Sequence, residues 1–257
     1  MKRARVIPVL LLHNSGLYKT IRFSEYKYIG DPINAVRIFN EKQCDEIILL
    51  DISATKRNNE INYKLIKEIA TESFMPMAYG GGIGKLTEIE KILKLGLEKV
   101  VINSVLFYEP DFLKHAVKEF GSSTIVASVD IKKNIFGKQI VYSHSAKPIS
   151  ITDPILYLKT LEETGVGEIM VNDVERDGTQ TGYDLDLINK LSNSVKIPFI
   201  AAGGCRNLED IKNTFSKTSI SATAAGSMFV FQGKHRAVLI SYPSPEEIKM
   251  ITHNDFR

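Results

Sequence analysis

The chain has 257 residues, 44% of them hydrophobic, with 33 Lys and Arg against 30 Asp and Glu. A net charge of +3 is too small to mark a nucleic-acid surface, and two cysteines, Cys44 and Cys205, make no disulfide framework, which points to a reducing cytoplasm. Neither cysteine sits in a CxxC or His-rich cluster, no apolar run could span a bilayer, and the basic start Met1-Lys2-Arg3-Ala4-Arg5 lacks a cleavage pattern, so a metal site, a membrane span and an export signal are not expected.

Short apolar runs alternate with amphipathic stretches from end to end. The runs cover 6–12, 47–52, 75–79, 100–103, 124–130, 169–172, 197–202 and 221–226. Most are rich in β-branched residues and bounded by turn residues, as buried parallel strands are. Helical patterns lie between them at 32–42, 63–70, 86–95, 110–120, 154–164 and 185–191. Pro32, Pro110 and Pro154 follow Asp31, Glu109 and Asp153, the acidic-then-Pro pattern of a helix start. Eight such units in about 250 residues predict one (β/α)8 TIM barrel over 1–257. An open doubly wound sheet would show one Gly-rich turn early, whereas here glycines recur late in both halves.

The halves, about 1–120 and 121–257, match at a period of roughly 120 residues. Leu11 answers Asp130, Asp51 answers Asn172, Gly80-Gly81-Gly82 answers Ala202-Gly203-Gly204, and Ile102-Asn103-Ser104 answers Ala225-Gly226-Ser227. A TIM barrel works at the C-terminal ends of its strands. Two phosphate cradles are expected there, Gly81 and Gly82 with Asn103 and Ser104, then Gly203 and Gly204 with Gly226 and Ser227. Glycines let backbone N–H groups approach an anion, and the next helix N-terminus favours negative charge. The ligand is then a small molecule with phosphate at both ends, or a diphosphate.

Asp130 closes an apolar strand and is the candidate general acid or base, unless it merely pairs with Lys132 or Lys133. Asp51 could orient ligand hydroxyls or hold Lys19. The loop Arg176-Asp177-Gly178-Thr179 is a turn first, and its place after the sixth strand puts Asp177 and Gly178 within reach of a ligand. At the opposite face Arg5, Glu46, Lys99 and Glu168 each stand at the start of a strand. They are either solvated charges or a mutually paired plug.

Five motifs carry a family resemblance from about residue 5 to residue 231: Gly30-Asp31-Pro32, Leu50-Asp51-Ile52, Gly80-Gly81-Gly82-Ile83, Ile102-Asn103, and Arg176-Asp177-Gly178-Thr179 followed by Gly182-Tyr183-Asp184. With them the chain resembles HisF, the cyclase subunit of imidazole glycerol phosphate synthase. The resemblance implies a HisH-like glutaminase docked on the barrel bottom as the second half of a heterodimer, with ammonia passing through the barrel to the top. It makes Arg5, Glu46, Lys99 and Glu168 the ammonia gate and turns Glu98 toward the glutaminase. It also places Lys19, Asp130 and both cradles at the substrate, with no cofactor.

One departure is large. The family's cyclase uses two aspartates, and Leu11 stands in the place of the first. Loss of one member of an acid/base pair commonly costs several orders of magnitude. Asn172-Asp173 and Ala202 also differ from the family's hydroxyl-bearing strand ends. The opening 7–12 and the insert 233–240 resemble a HisF-like branch associated with glycosyl amidation in surface-polysaccharide synthesis, working with an amidotransferase-type ligase. The expected function is an ammonia-transfer subunit acting on a phosphorylated sugar. The alternatives are a cyclase of histidine biosynthesis and a non-catalytic phosphate-binding scaffold.

Overall fold

The computed structural model describes residues 4–54, 60–144 and 150–252, so the basic residues Met1 to Arg3 lie outside it. Eight strands pair in parallel, each with the next: β1 (Arg5–His13), β2 (Ile47–Asp51), β3 (Met77–Gly80), β4 (Lys99–Ile102), β5 (Ile125–Lys133), β6 (Glu168–Asp173), β7 (Phe199–Ala202) and β8 (Ala222–Ala225). β8 pairs back onto β1, so the ring closes without a free edge, as the (β/α)8 expectation requires. The helices α1 (Pro32–Glu41), α2 (Tyr63–Thr71), α3 (Leu86–Lys94), α4 (Phe112–Phe120), α5 (Pro154–Glu163), α6 (Leu185–Ser192) and α7 (Leu208–Lys217) fall between successive strands. The short α8 (Ser227–Val230) and α9 (Pro245–Thr252) follow β8. Among the described residues no helix is long and apolar enough to cross a membrane.

Local chemistry accounts for the helix starts. Asp31 accepts from Asn34 N at 2.8 Å and Asp153 from Leu156 N at 3.1 Å, each just before a first-turn proline. The third acidic–Pro pair behaves differently. Tyr108 N donates to Val105 O at 3.0 Å, which closes a 3-10 turn over Ser104–Phe107; Glu109 N reaches the same carbonyl at 2.8 Å, and α4 begins only at Phe112.

Apolar residues divide into two sets. The larger lies between sheet and helices, with Phe39, Tyr79 and Phe199 fully buried. The smaller fills the barrel interior with inward-pointing residues of alternate positions, among them Ile7, Ile48, Val126, Met170, Ile200 and Ala222.

The first strand of each half runs on past the barrel rim, which the sequence reading did not anticipate. β1 continues into an antiparallel hairpin of Gly16–Ile21 and Ser24–Gly30. β5 turns back through Gln139–Tyr142, which also pairs Ser150–Ile151. The insert before α9 forms a separate hairpin, Phe231–Gln232 with Ala237–Val238. It leans on the first hairpin through Lys27 Nζ, which donates to Arg236 O at 2.9 Å, and on the β6 loop through Arg236, which donates to Gly178 O at 3.2 Å.

Candidate functional site

The strand C-termini and the two rim hairpins enclose a cavity of about 210 Å³. Strand register fixes which residues reach it. Leu11 pairs Leu50, and Leu50 pairs Gly80; in the second half Asp130 pairs Asn172, and Asn172 pairs Ala202. Given that Leu11 matches Asp130, the partner of Asn172 is therefore Leu50, and Asp51 matches Asp173. This corrects the sequence alignment of Asp51 with Asn172 by one residue. Two further details agree. Asp51 accepts from Ser53 N at 2.9 Å, and Asp173 accepts from Glu175 N at 3.0 Å, the same turn in both halves.

The correction shows how unequal the walls are. At matched positions the first half presents Leu11 and Leu50 where the second presents Asp130 and Asn172; Asp51, Asn103 and Asp177 also line the cavity, with Ile52, Ile83, Met170 and Ala202 among its apolar remainder. Lys19 and Thr20 reach in from the first hairpin, Phe23 and Tyr26 from its outer turn and strand, and His144 from beyond the second. Of these, Thr20, Phe23, Tyr26 and His144 carried no periodic or motif signal, because their loops are placed by the hairpins rather than by the barrel repeat.

Asp130 is 8% exposed and accepts from Asn103 Nδ2 at 2.9 Å, not from Lys132, whose ammonium lies over the Tyr142 ring. Burial pushes its carboxyl up to about 7; the Asn103 hydrogen bond opposes this, the negative charge of Asp177 adds to it, and Asn172 opposes it again. Asp177 is raised to about 6, first by burial, against the pull of Lys19 and a hydrogen bond from Thr20 Oγ1 at 3.4 Å. Lys19, 7% exposed, is lowered to about 8 by burial despite Asp177. Its ammonium donates to Val9 O at 2.8 Å, so a strand carbonyl holds it rather than Asp51, with the charge of Asp177 acting from further off. Asp51 instead ties its own loop together, accepting also from Ser53 Oγ and Ala54 N. The three groups therefore titrate near neutrality within one cavity, which is where proton transfer is useful.

All four glycines of the two pairs take positive φ. Gly81 and Gly82 have φ of 123° and 71°, and Gly203 and Gly204 have 95° and 102°. A Cβ on Gly81 would meet Asp51 O at 2.4 Å and one on Gly203 would meet Asp173 O at 2.6 Å, so each pair lets the loop fold over the neighbouring strand end. Ser104 opens the 3-10 turn and Ser227 opens α8. A small recess of about 20 Å³ joins Gly203, Gly204, Gly226 and Ser227 to Lys19, Asp177 and Gly178. Gly226 makes room for the Lys19 ammonium, which would lie 1.8 Å from a Cβ there. Asn103, the counterpart of Gly226, uses its side chain on Asp130 instead.

At the barrel's other end the four charges pair into a closed ring. Arg5 bonds both Glu46 and Glu168, and Lys99 Nζ reaches Glu46 at 3.2 Å and Glu168 at 3.1 Å. The glutamates are 3% and 5% exposed, while the cations remain partly open to solvent. Ion pairing holds the Arg5 guanidinium above its usual range although burial opposes it. Glu98 stands beside this ring, exposed.

A closed parallel barrel with a titratable cavity at its strand C-termini and an ion-pair ring at its base defines a (β/α)8 barrel protein. The chain belongs to the histidine biosynthesis protein family, whose profile matches residues 5–236, and within it to the HisF proteins. It is 49% identical over 248 residues to a Pseudomonas aeruginosa protein provisionally named imidazole glycerol phosphate synthase subunit hisF2, covering 96% of this chain and 99% of that one. A Vibrio vulnificus protein provisionally named subunit hisF3 of the same synthase is 44% identical over 97% of this chain and 96% of its own. The imidazole glycerol phosphate synthase subunit HisF of Lactococcus lactis subsp. cremoris strain MG1363 is 37% identical, covering 89% of each chain.

Proposed function

We propose that this protein is the barrel subunit of a glutamine-dependent amidating complex in the cytoplasm. In this reading it is one domain of two half-barrels, and it receives ammonia from a HisH-like glutaminase docked at its base beside Glu98. It delivers that ammonia to a phosphorylated sugar in the top cavity. One observation carries this reading: the ion-pair ring at the base is complete, while the cavity wall that would hold the second acid carries Leu11. An ammonia route is kept and cyclase acid/base chemistry is reduced.

Opening one ion pair of the ring admits neutral ammonia, and the apolar interior from Ile7 to Ala224 excludes ammonium, whose charge would be unpaired there. The route ends below Asp130. Attack by the ammonia lone pair on an acyl carbon that a ligase has activated as an acyl phosphate or adenylate forms the C–N bond; the C–O bond to the activating group then breaks, phosphate or AMP leaves with its electron pair, and a surplus N–H proton remains. Asp130 takes that proton, since its carboxyl is poised at about 7. The glycine cradles hold the substrate's phosphates, with Lys19 neutralising charge at the second. An amidotransferase-type ligase that activates the acceptor fits the same scheme.

A second reading, cyclase of histidine biosynthesis, is favoured by the family match and the relatives' names. The two separate in one assay. Purified protein is given the ribulosyl bisphosphate precursor of the imidazole ring and high ammonium, with absorbance following consumption. The expected result is no enzyme-like turnover, with partial activity appearing in Leu11→Asp. Turnover by the unaltered chain at ordinary enzyme rates establishes the cyclase and ends the amidation reading.

The cradle assignment has its own test. Gly226→Ala places a methyl where the Lys19 ammonium sits, while the backbone there tolerates alanine. Inorganic phosphate affinity by calorimetry is expected to fall about tenfold, on the order of one charge-assisted contact. Unchanged affinity would remove Lys19 from the phosphate site.

A further inference from the structure

The hairpin after β1 carries an aromatic surface that ammonia delivery leaves unused. Its register sets Leu11 opposite Tyr18 and Tyr18 opposite Tyr28. Directly paired residues share a sheet face, and alternate residues along a strand join them, so His13 and Tyr26 belong to the same face. The rings meet in sequence. Tyr26 and His13 have centroids 4.9 Å apart, His13 and Tyr18 5.2 Å, and Tyr18 and Tyr28 5.3 Å. The row starts in the cavity, where Leu11 and Tyr26 are wall residues, and ends in solvent, where Tyr28 is 58% exposed. Gly16 is paired with His13, and a Cβ there would come within 3.0 Å of the Tyr28 ring, so the missing side chain leaves that ring its place. The lysines of these strands face the other way: Lys19 goes to Val9 O, and Lys27 lies over the Phe231 ring.

Leu11, His13, Tyr18, Tyr26 and Tyr28 thus form a face without Lys, Arg, Asp or Glu, continuous with a cavity that has charged groups inside. Such a face suits a neutral ring with polar edges. The C–H bonds of a pyranose carry partial positive charge and pack on the negative face of a tyrosine, and its hydroxyls reach the phenol O–H. We propose that this face is a sugar-ring subsite. A sugar phosphate keeps its phosphate in the cavity and lays its pyranose ring on Tyr26, with any further ring carried outward over Tyr18 and Tyr28. The inference rests on the phosphate reading of the cavity and names the rest of the ligand.

The test is calorimetric titration of the whole chain with inorganic phosphate, α-glucose 1-phosphate and uridine monophosphate. Glucose 1-phosphate is expected to bind about tenfold tighter than phosphate, on the scale of one aromatic stacking contact. Tyr26→Ala and Tyr28→Ala together are expected to erase that margin, read as the ratio of glucose 1-phosphate to phosphate affinity within the same variant; both rings are exposed, 43% and 58%, so both can be truncated without disturbing the fold. Equal binding of phosphate and glucose 1-phosphate overturns the subsite and leaves the phosphate site standing. So does a margin that survives both substitutions. Tighter binding of uridine monophosphate, lost in the tyrosine variants, assigns the face to a nucleobase and overturns the sugar. No binding of phosphate at all overturns the cavity reading and this one with it.

Discussion

Asp130→Asn is expected to yield a protein that is more stable at pH 8 than the unaltered chain and far less active. Burial holds the Asp130 carboxyl at about 7, against its ordinary value of 3.8. Between those two values the folded chain keeps a proton that the unfolded chain has released. Stability therefore falls as pH rises through that window, and it levels off above pH 7. The full span is on the order of 4 kcal/mol at about 1.4 kcal/mol per unit. Asparagine carries no charge to desolvate, and its oxygen still accepts from Asn103. Urea unfolding at pH 5 and pH 8 should show the unaltered chain losing stability between them and the variant losing much less. Asp177 contributes a smaller fall of the same sign up to about pH 6. Lys19 acts oppositely: its folded value of about 8 lies below 10.5, so stability gains between those pH values. Activity of the variant should drop by about 10²–10⁴, the usual share of one general acid or base. A variant with unchanged pH dependence would mean that Asp130 is solvated and ionised at neutral pH.

Lys99→Met should cost the fold about 3 kcal/mol, seen as a melting shift of roughly 10 °C. Glu46 and Glu168 each lose one of two cationic partners, and both are almost wholly buried. Removing one side of a buried ion pair strands the other charge, which is why the loss exceeds that of a surface pair. Adding Glu168→Gln restores neutrality, because Arg5 and Glu46 remain as a matched pair. The double variant is expected to recover most of the stability. It should still fail to transfer glutamine-derived nitrogen, while using free ammonium normally. Lys99→Met melting within a degree of the unaltered chain would show that the ring is exposed to water and that its charges are independent.

Much of this was legible before any coordinates. The eight apolar runs became the eight strands, because a strand buried on both faces leaves a continuous apolar signature. The charges at 5, 46, 99 and 168 stood out because each stands at the foot of an apolar run, although only the fold shows that they bond one another. The rim hairpins were invisible, since Tyr18, Lys19, Lys27 and Tyr28 read as a mixed polar stretch and their pairing is set by β1. Pro110 misled because an acidic residue before proline also suits the end of a 3-10 turn. The match of Asp51 with Asn172 was off by one because both strands end in a polar residue. Register across β1 and β2 separates inward from outward positions, which a linear comparison does not.

The base ring also governs when the barrel can close. Arg5, Glu46 and Lys99 all lie in the first half, and together they carry one surplus positive charge; Glu168 is the member that balances it. Until the sixth strand has been synthesised, the nascent first half holds a charge mismatch at its lower end, and β1 has no partner on its open side until β8 follows. The last tie comes later still, when Tyr242 bonds Val6 O at 2.8 Å across 236 residues of sequence. Contacts this distant in sequence slow the final folding step, because the loop-closure entropy has to be overcome before they form.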